Sequence, residues 1–138
     1  MMLLDTDVLI DVALDRRPHS DSASELLDRI EHGAEAAFMA WHTVSNLYYI
    51  VAPTLGGLST RDFIVELTRF VTVAETDTED IHFAAELPMV DFEDAMQVAA
   101  ARACGARHIV TRNVRDYERS PIRAVAPQEA LRELFRFS

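Results

Sequence analysis

Three acids, Asp91, Glu93 and Asp94, head an almost wholly apolar run in DFEDAMQVAA, residues 91–100. Asp5 and Asp7 follow the apolar MMLL at the start of the chain, and Asn113 and Asp116 follow the apolar HIV of residues 108–110. One carboxylate at a helix start is accounted for by a cap and by the macrodipole, which stabilise by roughly 0.3–1 kcal/mol. That reading covers Asp91 as an N-cap, Asp7 as a first-turn dipole partner and Asp116 as an Asx-turn residue, each taken alone. It does not explain why oxygen-bearing side chains recur at every such place. Carboxylates brought together raise each other's pKa unless a cation sits among them. If Asp5, Asp94 and Asp116 meet, Mg²⁺ or Mn²⁺ is the natural occupant, because these hard ions take oxygen ligands and keep waters for a substrate phosphate. Water activated on such an ion attacks a phosphodiester while the ion steadies the charge growing on the phosphate.

The elements that must position these residues alternate. Residues 2–5 read as a short buried strand running into a helix over 6–15, with Val8, Leu9 and Val12 on one stripe. A second helix spans about 19–32 and stops at Gly33; residues 36–40 form a strand. HTVSNLYYIVA, residues 42–52, is a helix ended by Pro53, followed by a TLGGLST loop and a helix over STRDFIVELTRF. A strand at 71–75, a short helix capped by Asp77, the helix at 91–104, strands at 108–111 and near 122–125, and a helix from Pro127 complete the chain. Alternation of this kind predicts an α/β fold: three α/β/α layers around a central parallel sheet, with right-handed crossovers and sites at the carboxyl ends of strands.

On the helix at 91–104, Asp91 and Asp94 face the same way, while Glu93 points a quarter-turn off and reads as exposed. The alanines at 95, 99, 100, 101 and 103 let that helix pack close, where an ionised carboxylate needs a partner. Asn46 lies opposite the apolar stripe of Val44, Leu47, Tyr48 and Val51, flanked by Tyr49 and Ile50, and reads as a buried amide. It serves either to bond a loop backbone or to stand at the rim of the acidic pocket. Asp11 and Asp15 read as solvent-facing, and the five histidines show no ligand spacing.

With 138 residues and 49% hydrophobic content, the chain fits one domain over residues 1–138. No apolar run reaches the ~20 residues of a membrane span, and the acid at position 5 argues against a signal peptide. The single cysteine, Cys104, excludes an internal disulfide framework and makes the cytoplasm the default compartment. A net charge of −10 argues against a general basic-patch nucleic-acid binder. The charge is uneven, however: residues 102–123 hold six arginines against Asp116 and Glu118, and there is no lysine anywhere. Arg112 and Arg115 flank Asn113 and read either as a solvated face or as contacts to an RNA backbone.

Together LLDTDVLIDV, SNLYYI, DFEDAMQVAAA and IVTRNVRDY, in this order, closely resemble the PIN domain over essentially the whole chain. The resemblance implies a small α/β/α metal-dependent ribonuclease, in many bacteria the VapC-type toxin of a toxin–antitoxin pair and commonly a homodimer. It implies an acidic pocket built on Asp5, Asp94 and Asp116 with Asn113 in support, holding Mg²⁺ or Mn²⁺, and an antitoxin protein whose basic or bulky residues plug that pocket. It also exposes a departure: the family's second acid is a glutamate, and Asn46 stands in its place. An amide oxygen holds a cation only weakly and cannot act as a base. Asp7 or Asp91 would then supply the missing carboxylate, or else the chain is a slow or inactive relative that binds RNA or a protein without cutting. A phospho-acceptor receiver domain needs a late lysine that this chain lacks. A haloacid-dehalogenase-type phosphatase shares only the first motif.

Overall fold

The computed structural model describes residues 1–136. Five short strands, β1 (Met2–Leu4), β2 (Ala37–Met39), β3 (Val71–Val73), β4 (His108–Val110) and β5 (Arg123–Val125), form one sheet in the order β3-β2-β1-β4-β5. Every pairing is parallel, with Leu3 opposite Phe38 on one side and Ile109 on the other. Strand residues alternate between two cores, as a period of two requires. Met2, Leu4, Met39, Val110 and Val125 enter one, and Leu3, Phe38, Ile109 and Ala124 the other.

The first core is covered by α1 (Thr6–Ala13), α2 (His19–Glu31), α3 (Trp41–Leu55), α4 (Gly57–Leu67) and α7 (Pro127–Arg136). The second is covered by α5 (Thr78–Glu86) and α6 (Phe92–Cys104), so the three-layer α/β/α reading holds. Among the described residues, no helix is long and apolar enough to cross a membrane.

Three helices begin where a side-chain carboxylate meets unpaired N–H groups. Asp5 caps α1, Asp77 and Asp80 form a reciprocal capping box on α5, and Asp91 caps α6. Gly105, at φ +74°, ends α6 in the left-handed conformation that glycine adopts without cost. Two boundaries differ from the sequence reading. Pro53 lies inside α3, which runs on to Leu55, because a proline in the final turn forfeits only one bond there. Gly56, at φ +86°, then turns the chain directly into α4, so the expected TLGGLST loop is mostly helix.

Helix α6 lies close against the sheet because its inner face is small: Ala100 and Ala101 are 1% and 0% exposed, packed with Leu3, Ile109 and Tyr117. Added bulk has nowhere to go. Ala101→Leu is expected to cost about 1–3 kcal/mol, read as a melting temperature lower by roughly 3–10 °C.

Candidate active site

The order of strands reverses between β1 and β4, and in an open parallel sheet the crevice beyond the carboxyl ends at such a point receives ligands. Asp5 follows β1 there and is 8% exposed. Its N–H donates to Val110 O at 2.9 Å, continuing the ladder, and its Oδ1 accepts from Thr6 N at 2.7 Å. Its Oδ2 accepts from the hydroxyls of Thr111 and Tyr117, both at 2.9 Å.

A crossover helix runs antiparallel to the strand it feeds, so the head of α6 arrives at this same edge. Asp94, in its first turn, lies 3.3 Å from the Tyr117 hydroxyl, which therefore bridges Asp5 and Asp94 with one proton. The Thr111 hydroxyl lies 3.2 Å from Asp7 Oδ2 as well as 2.9 Å from Asp5. Asp7 also accepts from Arg112 N at 3.2 Å and Asn113 Nδ2 at 2.9 Å. Two hydroxyl protons thus serve three carboxylates.

The shortage of positive charge shows in the protonation equilibria. Burial raises the Asp5 carboxyl, opposed by its bonds from Tyr117, Thr111 and Thr6. Burial first and the negative charge of Asp5 second push Asp7 to about 6. Burial, then Asp91, Asp5 and Asp116, push Asp94 to about 7. The Tyr117 phenol is driven upward by burial and by Asp5 and Asp94, so it remains a donor at all ordinary pH.

A pocket of about 320 Å³ opens over these groups, lined by Asp5, Thr6, Asp7, His42, Asn46, Glu93, Asp94, Gln97 and Asn113 among others. Its floor is a polar knot tying three helices: Gln97 Nε2 donates to Thr43 Oγ1 at 2.9 Å and Thr6 Oγ1 at 3.2 Å. Gln97 is 2% exposed, yet its Oε1 accepts no hydrogen bond. Asp116 lies in a neighbouring pocket of about 350 Å³ with Asp91, Arg115 and Arg119, and Asp94 lines both. Asp116 is near enough to raise Asp94 without entering the pocket of Asp5.

Among the described residues, no group of three or more Asp, Glu, His or Cys side chains is arranged to hold a metal ion. The donor set nevertheless fits a magnesium-like ion, which is held by one or two carboxylates and keeps several waters. Asp5 and Asp94 are under-neutralised, and Gln97 Oε1 is an unused oxygen acceptor in the wall of the pocket.

Several placements differ from the sequence reading. Asp11 is not solvent-facing: it is 2% exposed and takes a two-pronged bond from Arg112, Nε to Oδ2 at 2.9 Å and Nη2 to Oδ1 at 3.1 Å. The Arg112 guanidinium is thereby committed to the fold. Asn46 is half-buried, beside an exposed Tyr49 and Ile50, so it stands at the rim and not in an apolar core. Asp91 caps α6 by accepting from Asp94 N at 3.1 Å. Thr111, Tyr117 and Gln97 were not singled out from sequence. Their signals are faint: the one polar residue in AMQVAAA, and hydroxyls next to Arg112 and Asp116 in the HIVTRNVRDY segment.

A sequence profile described as PIN domain matches residues 1–115. No curated protein matches the chain in sequence. Among solved structures it resembles VapBC2 from Rickettsia felis bound to a promoter DNA fragment, with TM-score 0.71 and 15% identity over 91% of this chain and 97% of that one. DNA-bound VapBC from Salmonella typhimurium gives TM-score 0.69 and 20% identity over 91% and 97%. Mycobacterium tuberculosis VapC20, a sarcin–ricin loop cleaving toxin, gives 0.63 and 12% over 79% and 87%. At these identities the likeness establishes a shared fold.

Two outcomes are expected. Arg112→Ala leaves the Asp11 charge buried without its partner and is expected to cost about 3 kcal/mol or more, seen as a lower urea midpoint. Asp7 and Asp94 keep their protons to about 6 and about 7 when folded, but release them near the ordinary 3.8 when unfolded. The folded state therefore binds more protons between these values, and stability falls as pH rises through them. In EDTA, the melting temperature of wild type relative to Asp94→Asn should fall by several degrees between pH 5 and pH 8.

Proposed function

The chain belongs to the PIN domain family, and from that premise we propose that it is a divalent-cation-dependent ribonuclease, the toxin of a toxin–antitoxin pair. One observation carries the reading: Asp5 and Asp94, from distant parts of the sequence, share a single Tyr117 proton in a pocket whose lining includes no arginine. Similarity in fold to VapBC complexes and to a sarcin–ricin loop cleaving toxin supports the RNA substrate and the antitoxin partner.

Asp5 and Asp94 would hold Mg²⁺ or Mn²⁺ directly, and Asp116 would reach it through water from the adjoining pocket. Such an ion, when bound, neutralises charge on the scissile phosphate and lowers the pKa of an attacking water. The rest of the work falls to this chain. Tyr117 and Thr111 keep the Asp5 carboxylate in one orientation, and Asn113 does the same for Asp7. Arg115, exposed beside Asp116, would take the RNA phosphate on the substrate's approach. The reading also places the 138-residue unit in the cytoplasm, where its substrate is. The exposed Trp41 and Tyr49, two turns apart on α3, offer a surface for a homodimer.

Asn46 favours a second reading, a PIN-fold module that binds RNA or a partner and cuts slowly or not at all. Incubation of purified protein with structured and unstructured RNA separates the two. Cleavage in Mn²⁺, its loss in EDTA, and a fall of at least ~100-fold in Asp5→Asn and Asp94→Asn are expected of the nuclease. Retention of RNA without cleavage would favour the binding module. Cleavage that persists undiminished in both variants would trace the activity to a contaminant.

A further inference from the structure

Asn46 leaves a gap in the pocket's charge, and the carboxylate that fills it is identifiable by elimination. Asp7 is engaged by Thr111, the Arg112 N–H and Asn113. Asp91 is turned to the backbone of its own helix and lines the neighbouring pocket. Glu93, which the helical wheel pointed to solvent, lines the same pocket as Asp5 and Asp94. Its Oε1 receives a hydrogen bond from Asn46 Nδ2 at 3.4 Å.

Resting on the cation-dependent reading above, we propose that Glu93 is a ligand of the divalent cation, supplying from α6 the carboxylate that position 46 on α3 does not. Asn46 is then a positioning residue: its amide N–H steers the flexible glutamate inward. An amide suits this task where a second glutamate would repel. The buried Gln97 Oε1, an unpartnered acceptor in the wall of the same pocket, is a further oxygen for the ion or for its waters. Asp5, Glu93 and Asp94 line one pocket without being drawn together in the cation-free arrangement, so the proposal has the ion itself gather Glu93, from the exposed start of α6, to the other two. Glu93 is exposed and makes a single long side-chain bond, so replacing it leaves the fold intact.

The test is Mn²⁺ binding to the cation-free full chain, followed by calorimetry and by the electron paramagnetic resonance signal of free Mn²⁺. Glu93→Gln should weaken binding by about 10–100-fold, and the swap Asn46→Glu/Glu93→Gln, which returns the carboxylate from α3, should recover most of the loss. Melting curves in EDTA should be unchanged in both, which separates a lost ligand from a damaged fold. Wild-type affinity in Glu93→Gln, with binding lost in Asp94→Asn, would overturn the role of Glu93 and leave the cation-dependent reading standing. No recovery in the swap would equally overturn it. Absence of Mn²⁺ binding in wild type would overturn both.

Discussion

Asp5 is a carboxylate buried at the point where a parallel sheet changes its direction of build, and much of the molecule is arranged to make that tolerable. A charge removed from water needs several hydrogen bonds to remain ionised. Three donors come from three places: Thr6 from the first turn of α1, Thr111 from the end of β4, and Tyr117 from the short 3₁₀ turn Val114–Tyr117. All three are neutral. Satisfying an anion with neutral dipoles in place of an arginine keeps its charge available to something that is not part of the chain. The same geometry explains why Tyr117 is only 3% exposed although it sits beside a polar turn: its ring belongs to the second core and its hydroxyl to the site.

The layered fold was legible because its signals are local. Strand runs such as MLL and HIV, caps at Asp77 and Asp91, and a glycine stop at Gly33 each act within a turn of chain. The strands came out shorter than read, since periodicity marks the buried residues and not the last paired one. Asp5 belongs to the apolar run by position, yet serves as the cap of α1. Prediction was poorest where a residue's environment is made by a distant segment. Asp11 looked solvent-facing on its own helix, and it is buried only because Arg112, a hundred residues on, folds over it. Glu93 was assigned to solvent by the helical wheel, which is correct about its exposure and silent about α3 standing opposite. Gln97, Thr43 and Thr6 each look ordinary, and their meeting at the floor of a pocket is a tertiary fact with no trace in any window of sequence.

The arginine-rich stretch shows a similar division. In sequence it suggests a basic face, but several of its charges are matched inside the molecule. Arg112 pairs with Asp11, Arg107 with Glu35 at 2.7 Å, and Arg123 with Glu129 and Glu133. Those pairs link the turn after β4 to α1, the residue before β4 to the chain before β2, and β5 to α7. What remains beside the acids is Arg115 and Arg119, in the pocket of Asp116 and Asp94. A protein of net charge −10 does not need a broad basic surface to meet a polyanion if it presents cations locally, at the rim of a cleft.

The head of α6 concentrates the opposing demands. Its unpaired N–H groups and the macrodipole favour negative charge, which suits Asp91, Glu93 and Asp94. Burial and mutual repulsion oppose it strongly enough to carry Asp94 to about 7. The small residues that bring α6 tight against the sheet cause both effects at once, because they carry the helix head into the crevice and shut out the water that would screen it. A looser helix would relax the acids and lose the site. The fold thus accepts instability at one helix terminus, and that unrelieved negative charge is what would give the pocket its affinity for a cation.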